Sequence, residues 1–231
     1  MWSLWGLSPA KFARPSTGPR HPVHPGWPES TPAVRVASGR QVRLRPLLRR
    51  DGQDWQQMRL LDEPHLRPVE PTAPDGWEAA HTPQAWANHL YYLRSNARQG
   101  LVVPLAIEVD GEFAGQLTLG NIQHGATQDC WIGYWVFSAF HRQGIATAAC
   151  ALGVDHAFRR VGLHRVTATR LPDNSGSGEV LLRSGFQEEG RLRRNLHIDG
   201  QWRDHILLGI NRDDFPTTAV ERLYAAGHIV G

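Results

Sequence analysis

Cysteine is scarce in this sequence of 231 residues, and long apolar runs are absent. Cys130 and Cys150 have no metal-ligand spacing and are too few for a disulfide scaffold, so we predict that both are small buried side chains. No window reaches about 18 apolar residues, so no transmembrane helix is expected. The apolar stretch 1–7 is too short, and lacks a preceding basic flank, for a signal peptide. A reducing cytoplasm is the expected location.

Positive charge is unevenly distributed along the chain. Residues 1–50 carry nine Lys or Arg and one acid, a net charge of +8 against +3 for the whole chain. Proline excludes a helix from residues 21–28, because each proline lacks an N–H and restrains its predecessor. We predict a Pro-rich basic arm over 1–38, a folded domain over 39–215 and a tail over 216–231 able to form a short helix. Nucleic-acid contact is expected only through the arm, for which a solvated tail is the simpler interpretation.

Strand and helix patterns alternate through the rest of the chain. Thr82-Pro83 is typical of a helix start, and Asp110-Gly111 and Asp199-Gly200 are typical of hairpin turns. Periodicity predicts strands at 40–47, 102–109, 112–119, 128–137, 164–169, 186–198 and 201–211, and helices at 51–61, 82–99, 143–161, 174–184 and 217–226. This order predicts a mixed α/β (α+β) fold around one central sheet.

One segment has the features of an anion site. A predicted strand ends at Phe137, a loop follows, and a helix begins near two small residues, Gly144 and Ala146. The first N–H groups of a helix are unpaired, and the helix dipole adds partial positive charge there. Gly144 allows a phosphate to approach the backbone, and Arg142 can add charge. A pyrophosphate suits such a site, although the loop alone is also compatible with an ordinary strand-to-helix turn.

The sequence of this loop resembles a family signature. His141-Arg142-Gln143-Gly144-Ile145-Ala146 resembles the Gln/Arg-x-x-Gly-x-Gly/Ala signature of the GNAT superfamily, with His141 where Gln or Arg is usual. Residues 174–177 resemble its Asn-x-x-Ser, and residues 182–186 resemble its Gly-Phe strand start. Residues 198–205 resemble the terminal hairpin of the RimJ/RimL branch, of which Gly133-Tyr134-Trp135 is also typical. The resemblance covers about residues 40–212.

The resemblance implies a fold, a co-substrate and a reaction. It implies a GNAT fold with a single mixed sheet of about seven strands flanked by about four helices. It also implies acetyl-CoA as co-substrate, no metal, and direct attack of an amine on the thioester. The strand end near Phe137 is expected to splay from its neighbour, with the Val136 N–H as oxyanion donor. The implied CoA-binding residues are Trp135, Val136, Phe137, Arg142, Gln143, Gly144, Ile145, Ala146, Thr147, Asn174, Ser177 and Arg183.

The catalytic candidates follow from the same resemblance. Ser177 matches the serine placed near the CoA sulfur in RimL-like enzymes, although helix capping is an alternative role. RimL-like enzymes place a glutamate where this chain has Leu196, so the nearby His197 is a candidate for the base, and Asp129, His124 and Glu189 are the others. An α-amine needs little help, since its pKa is about 7.7–8.0 against about 10.4 for lysine. Three histidines, His65, His81 and His89, have no compact metal-binding spacing.

The implied activity is acetylation of a protein N-terminus, with a ribosomal-protein-like acceptor, by a monomer or weak dimer without a membrane partner. The acceptor is expected over the first two helices and the terminal hairpin, where Asp62, Glu63 and Glu70 can attract an amine or remain solvated. Two alternatives stay open. One is a GNAT acting on an antibiotic or polyamine, and the other is a ribosome- or RNA-binding protein with a degenerate GNAT fold.

Overall fold

The computed structural model describes residues 14–15 and 18–230. Its helices and strands follow the sequence pattern closely, from the Thr82 cap, whose hydroxyl accepts the Ala85 N–H, to the Asp110-Gly111 turn. The helices are α1 (Gly52–Leu61), α2 (Glu63–Leu66), α3 (Trp77–Ala80), α4 (Pro83–Arg98), α5 (Ile145–His156), α6 (Ser175–Arg183) and α7 (Ala219–Ala225). The strands are β1 (Arg14–Pro15), β2 (Glu29–Ser30), β3 (Val34–Val36), β4 (Gln41–Pro46), β5 (Val103–Val109), β6 (Glu112–Gln123), β7 (Asp129–Val136), β8 (Arg165–Arg170), β9 (Gln187–Ile198), β10 (Gln201–Asn211) and β11 (Ile229–Val230).

One sheet of nine strands organises the described part of the chain, in the order β11-β3-β4-β5-β6-β7-β8-β10-β9. All neighbours are antiparallel except β7 and β8, which run parallel. The parallel pairing joins Asp129–Trp131 to 165–167 and stops there. The two strands therefore separate along the second half of β7. The expected mixed α/β fold is confirmed, with more strands and helices than predicted.

The helices cover both faces of the sheet. On β6, the Gln116 side chain reaches His89 of α4, while the Leu117 side chain packs beside Gly153 of α5. Successive strand residues point to opposite faces, so α4 and α5 lie on opposite sides. Helix α1 packs with α4, and α6 and α7 pack with α5. Helix α5 is almost wholly buried, which fits its apolar sequence.

The chain ends contribute more structure than predicted. Strand β3 precedes residue 39 and β11 follows residue 215, yet both belong to the main sheet. The bounds 39–215 therefore leave out two of its strands. Trp27 is buried, and Glu29 forms a buried ion pair with Arg160 at 2.6 Å. The arm prediction for residues 1–13 and 16–17 lies outside the described residues.

Helix α5 ends differently from the prediction. The pattern predicts one helix over 143–161, whereas α5 ends at His156 and a π-helical turn, Ala157–Val161, follows it. Gly162 ends this turn in the left-handed conformation at φ 91°. Among residues 14–15 and 18–230, no helix is both long and apolar enough to cross a bilayer.

Candidate active site

The open edge of β7 is the centre of the candidate site. Phe137 donates its N–H to Ala114 O of β6 at 2.9 Å. Backbone groups alternate along a strand, so the Val136 N–H and C=O point away from β6, towards the gap left by β8. Ile132–Val136 has no strand partner on that side within the described chain. The Val136 N–H is available to an extended ligand lying in the gap, whereas Val136 O is contacted by the His141 ring at 2.8 Å.

A loop with exposed N–H groups follows this edge. Gly144 is the N-cap of α5 at φ 82°, in the left-handed region, and no side chain caps the helix. Ala148 donates the first intrahelical bond to Gly144 O, so the N–H groups of residues 145–147 have no intrahelical partner. Arg142 is also left-handed, at φ 60°, and its side chain is exposed. The Gln143 side chain donates to Ala139 O at 2.9 Å and so serves the loop itself.

These features fit the pyrophosphate and pantetheine of CoA. The N–H groups at the start of α5 provide donors and the positive end of a helix dipole. The left-handed Gly144 has no side chain over the loop, so a phosphate can approach closely. The unpaired backbone of β7 matches the amide groups of a pantetheine arm, as an added strand would. The side chain of Trp135 is buried and its backbone groups face Gln116 of β6, so Trp135 offers such a ligand no free hydrogen-bonding group on the open edge.

Two side chains fix the end of β7. The His141 ring nitrogen Nε2 lies 2.8 Å from Val136 O, so this ring folds back onto the strand rather than towards the loop N–H groups. Asp62, at the end of α1, accepts the Ser138 N–H at 2.7 Å and the Ser138 hydroxyl at 2.6 Å. Asp62 is 2% exposed, so it is a structural anchor for the loop and is not available to an incoming amine.

The first turn of α6 faces the same gap. The Asn174 side chain accepts the Ser177 N–H at 3.1 Å and caps the helix. The Ser177 hydroxyl lies 3.5 Å from the Tyr134 hydroxyl of β7. Ser177 is thus brought beside the open edge of β7. Arg183 lies in the last turn of α6, so the length of the helix separates it from Asn174. Its side chain pairs with Glu179.

The β9–β10 hairpin closes the site on the acceptor side. Its tip meets the segment after α2: Thr72 donates its N–H to His197 O at 2.9 Å, and Gly200 donates to the Thr72 hydroxyl at 3.0 Å. The His197 Nδ1 lies 3.0 Å from the same hydroxyl. Arg67 and Asp199 form an ion pair at 2.8 Å. Between the two segments lies a pocket lined by Arg67, Pro71, Thr72, Ala73, Gly76, Trp77, Asp199 and Gly200.

A buried guanidinium links this pocket to β7. The Arg59 Cζ lies 5.0 Å from the Trp77 ring centroid and 5.2 Å from that of Trp135. Arg59 also binds Glu70 through both carboxylate oxygens and donates to His81 Nε2 at 2.9 Å. Burial, and then the positive charge of Arg59, lowers the pKa of His81 to about 4. The wall of the pocket is therefore tied to the strand that carries Val136.

Some predicted residues are not brought to the site. Asp129 begins β7, seven residues before Val136, which corresponds to about 23 Å along a strand. Its carboxylate accepts the Thr127 hydroxyl at 2.9 Å, so Asp129 is withdrawn as a base candidate. Glu63 pairs with Arg67, and Glu70 with Arg59, so neither is the free solvated carboxylate that the sequence suggested. Within the described residues, no three His, Cys, Asp or Glu side chains form a metal-binding group.

The sequence did not reveal several contributors. Tyr134 lies inside the Gly133-Tyr134-Trp135 motif, yet its contact with Ser177 joins residues 43 positions apart. Arg59 and His81 are brought together only when α1 packs against the segment after it. From the sequence, His141 was identified only as the residue that departs from the family signature, and its contact with Val136 O was not predicted.

Comparison with known proteins agrees with this geometry. The model of the acetyltransferase (GNAT) domain family matches residues 41–187. The solved structure of Mycobacterium smegmatis RimJ in complex with CoA-disulfide is 48% identical, with a TM-score of 0.87, and the match covers 89% of this chain and 98% of that one.

Two curated relatives give the same family. The [ribosomal protein uS5]-alanine N-acetyltransferase of Escherichia coli is 28% identical over 192 residues, which cover 82% of this chain and 97% of that protein. The probable N-acetyltransferase YjcK of Bacillus subtilis is 43% identical over 106 residues; the match spans 46% of this chain and 59% of that protein. The chain therefore belongs to the GNAT family of N-acetyltransferases.

Proposed function

We propose that this enzyme transfers the acetyl group of acetyl-CoA to the α-amine of a protein N-terminus, with a ribosomal protein as the acceptor class. The main support is the similarity to RimJ of M. smegmatis, which covers 89% of this chain and 98% of that one. The E. coli relative is named as an alanine N-acetyltransferase of ribosomal protein uS5. The co-substrate follows from the fit of CoA to β7 and α5.

The mechanism is direct transfer. The acceptor nitrogen attacks the thioester carbonyl, a C–N bond forms, and the carbonyl oxygen gains negative charge. The Val136 N–H donates to this oxygen, because it points into the gap beside β7. The C–S bond then breaks, its electron pair goes to sulfur, and the ammonium loses a proton to water. The Ser177 hydroxyl donates a hydrogen bond to the leaving thiolate.

The proton balance favours an α-amine over a lysine. With a pKa of about 7.7–8.0, a useful fraction of an α-amine is neutral near pH 7, whereas lysine at about 10.4 is almost fully charged. His197 stands at the hairpin tip beside the acceptor pocket and is the remaining candidate for taking the proton through a water molecule. General-base help of about 10²-fold is the lower end of the usual range.

Acceptor binding occurs between the hairpin tip and the segment 67–77. This pocket contains the apolar side chains of Pro71, Ala73 and Trp77, and its charged members Arg67 and Asp199 pair with each other. Such a lining suits a small uncharged first residue and an extended peptide backbone. It offers little to a polyamine, whose several cations need unpaired carboxylates.

The test is turnover of acetyl-CoA, measured as thiol release, on short peptides that differ only in their first residue, beside spermidine and an aminoglycoside. Turnover on free peptides, and none on the same peptides with blocked N-termini, is the expected result. Turnover on the small amines alone would overturn the proposal and assign the enzyme to small-molecule acetylation. A peptide starting with alanine, compared with one starting with tryptophan, tests the size of the pocket.

A further inference from the structure

The Tyr134 phenol is a polar group at this site that the proposed mechanism leaves without a role. Tyr134 lies in the unpaired part of β7, opposite Leu117, whose side chain packs on the α5 side of the sheet. Paired residues in adjacent strands share a face, so Tyr134 projects towards α5 and α6. Its hydroxyl lies 3.5 Å from the Ser177 hydroxyl. This contact joins the open edge of β7 to α6, whose Ser177 is the proposed hydrogen-bond donor to the leaving thiolate.

The direction of this hydrogen bond follows from the chemistry of the two groups. Burial raises the pKa of the Tyr134 phenol, so the phenol keeps its proton throughout the working pH range. A phenol is a stronger acid than an alcohol, and the Tyr134 O–H is therefore the better donor. When Ser177 Oγ accepts this hydrogen bond, its own O–H is directed towards a third group. Hydrogen bonds in such a chain strengthen one another by roughly 10–30% each.

We propose that Tyr134 is a positioning residue for Ser177: its O–H donates to Ser177 Oγ, and the Ser177 O–H is thereby directed at the sulfur of the leaving CoA. This inference rests on the proposed function, because it assigns Ser177 to the thiolate. The chain transfers no proton in this step. The sulfur keeps the electron pair of the broken C–S bond, leaves as a hydrogen-bonded thiolate, and is protonated by water after release.

The decisive experiment needs no acceptor. The thiol of CoA bound to the enzyme is titrated by the ultraviolet absorbance of its thiolate, in the wild type, Tyr134→Phe, Ser177→Ala and the double variant. The wild type is expected to lower the pKa of the bound thiol relative to free CoA. In Tyr134→Phe the pKa of the bound thiol returns part of the way to that of free CoA, and in Ser177→Ala it returns further. The double variant has the same thiol pKa as Ser177→Ala. Tyr91→Phe, which removes an exposed hydroxyl from α4, is the matched control and leaves the titration unchanged.

Kinetics provide the second readout. With an active acceptor, Tyr134→Phe is expected to lower kcat about three- to tenfold, the range for one hydrogen bond, and to leave the KM for acetyl-CoA unchanged. An unchanged thiol titration in Tyr134→Phe, or a double variant additive over both singles, would overturn the proposal. If Tyr134→Phe fails to fold, an unchanged thiol titration in Ser177→Ala alone would also overturn the proposal. Failure of the N-terminal acceptor assignment alters none of the titrations, so the two failures are distinguishable.

Discussion

Gly144 is proposed to let a phosphate approach the start of α5 closely. Its φ of 82° is strained for residues with a side chain, whereas an added Cβ would meet Val36 at 3.7 Å, an ordinary van der Waals distance. Gly144→Ala is therefore expected to raise the KM for acetyl-CoA about tenfold while the protein still folds, measured by steady-state kinetics. Gly144→Asn is the matched control. Asparagine tolerates this backbone conformation, so a rise in its KM for acetyl-CoA comes from the side chain that covers the loop and not from backbone strain. Equal KM values for wild type and both variants would contradict the assignment of the loop to phosphate.

Arg59 is the most extensively bonded cation of the acceptor wall. Its ion pair with Glu70 is largely buried, with side-chain exposures of 10% and 24%. Arg59→Met leaves Glu70 without its partner and is expected to lower the free energy of unfolding by about 3 kcal/mol, measured by urea denaturation. Arg212→Met removes an exposed pair with Asp213 and is expected to cost under about 1 kcal/mol. Equal losses in the two variants would refute a structural role for the buried guanidinium.

At the scale of single residues, local rules predicted backbone roles better than side-chain roles. Gly144 followed from the unpaired N–H groups of a helix start, whereas Val136 came from the resemblance to the GNAT superfamily. The contacts of His141 and Asp62 were not predicted and Arg59 was not identified, because their partners lie on other elements: Val136 O, Ser138 and Glu70. Asp129 failed as a base for a related reason. The sequence places Asp129 in the strand that carries Val136, but only the register of β7 shows that Asp129 lies at the opposite end of that strand.

The β9–β10 hairpin and the segment 67–77, which form the proposed acceptor cleft, are joined at Thr72. The Thr72 hydroxyl meets both His197 Nδ1 and the Gly200 N–H. Thr72→Val preserves shape but removes both contacts, so the hairpin tip loosens. The KM for a peptide acceptor is expected to rise about three- to tenfold, with the KM for acetyl-CoA unchanged, measured by initial rates. Thr217→Val, at an exposed threonine before α7, is the control and changes neither KM. If Thr72→Val raised only the KM for acetyl-CoA, Thr72 would lie outside the acceptor cleft.

At the scale of elements, the order of strands and helices was predictable almost throughout. Turn residues and apolar periodicity located both hairpins, and β10 has the predicted bounds. The short strands β3 and β11 were missed because two or three residues carry no periodicity, and their pairing is visible only when the chain ends meet. The end of α5 was missed because a π-helical turn has the same apolar pattern as a continuing helix.

Across the whole molecule, buried histidines make stability depend on pH. Burial lowers the pKa of His81, His89 and His156, and for His81 the value is about 4 against an ordinary 6.5. Between these two values the unfolded chain binds protons that the folded protein does not, so stability falls as the pH falls from about 6.5 to about 4. The Tm measured across this range should decline steadily. His81→Gln should show a shallower decline, and a slope equal to that of the wild type would contradict the assignment to His81.

The structure also changes the interpretation of the charge distribution along the chain. The basic first 50 residues suggested an arm over 1–38 that is solvated or contacts nucleic acid. Three of the arginines that give these residues their charge, Arg40, Arg43 and Arg45, follow the predicted arm and pair with Asp110, Glu108 and Asp51. The positive charge of these three arginines is therefore paired within the folded domain. Net charge per segment could be counted from the sequence, whereas the pairing of those charges depends on strand register.

Acetyl-CoA bound between β7 and α5 is proposed to supply the acetyl group to an α-amine. The most direct test uses one peptide with a free N-terminal alanine and an internal lysine, incubated with acetyl-CoA and enzyme, and locates the acetyl group by fragment-ion mass spectrometry. Acetylation at the N-terminal nitrogen is expected, with much slower product formation by Gly144→Ala at low acetyl-CoA concentration. Acetylation of the lysine side chain with the α-amine left free would refute this assignment of the acceptor.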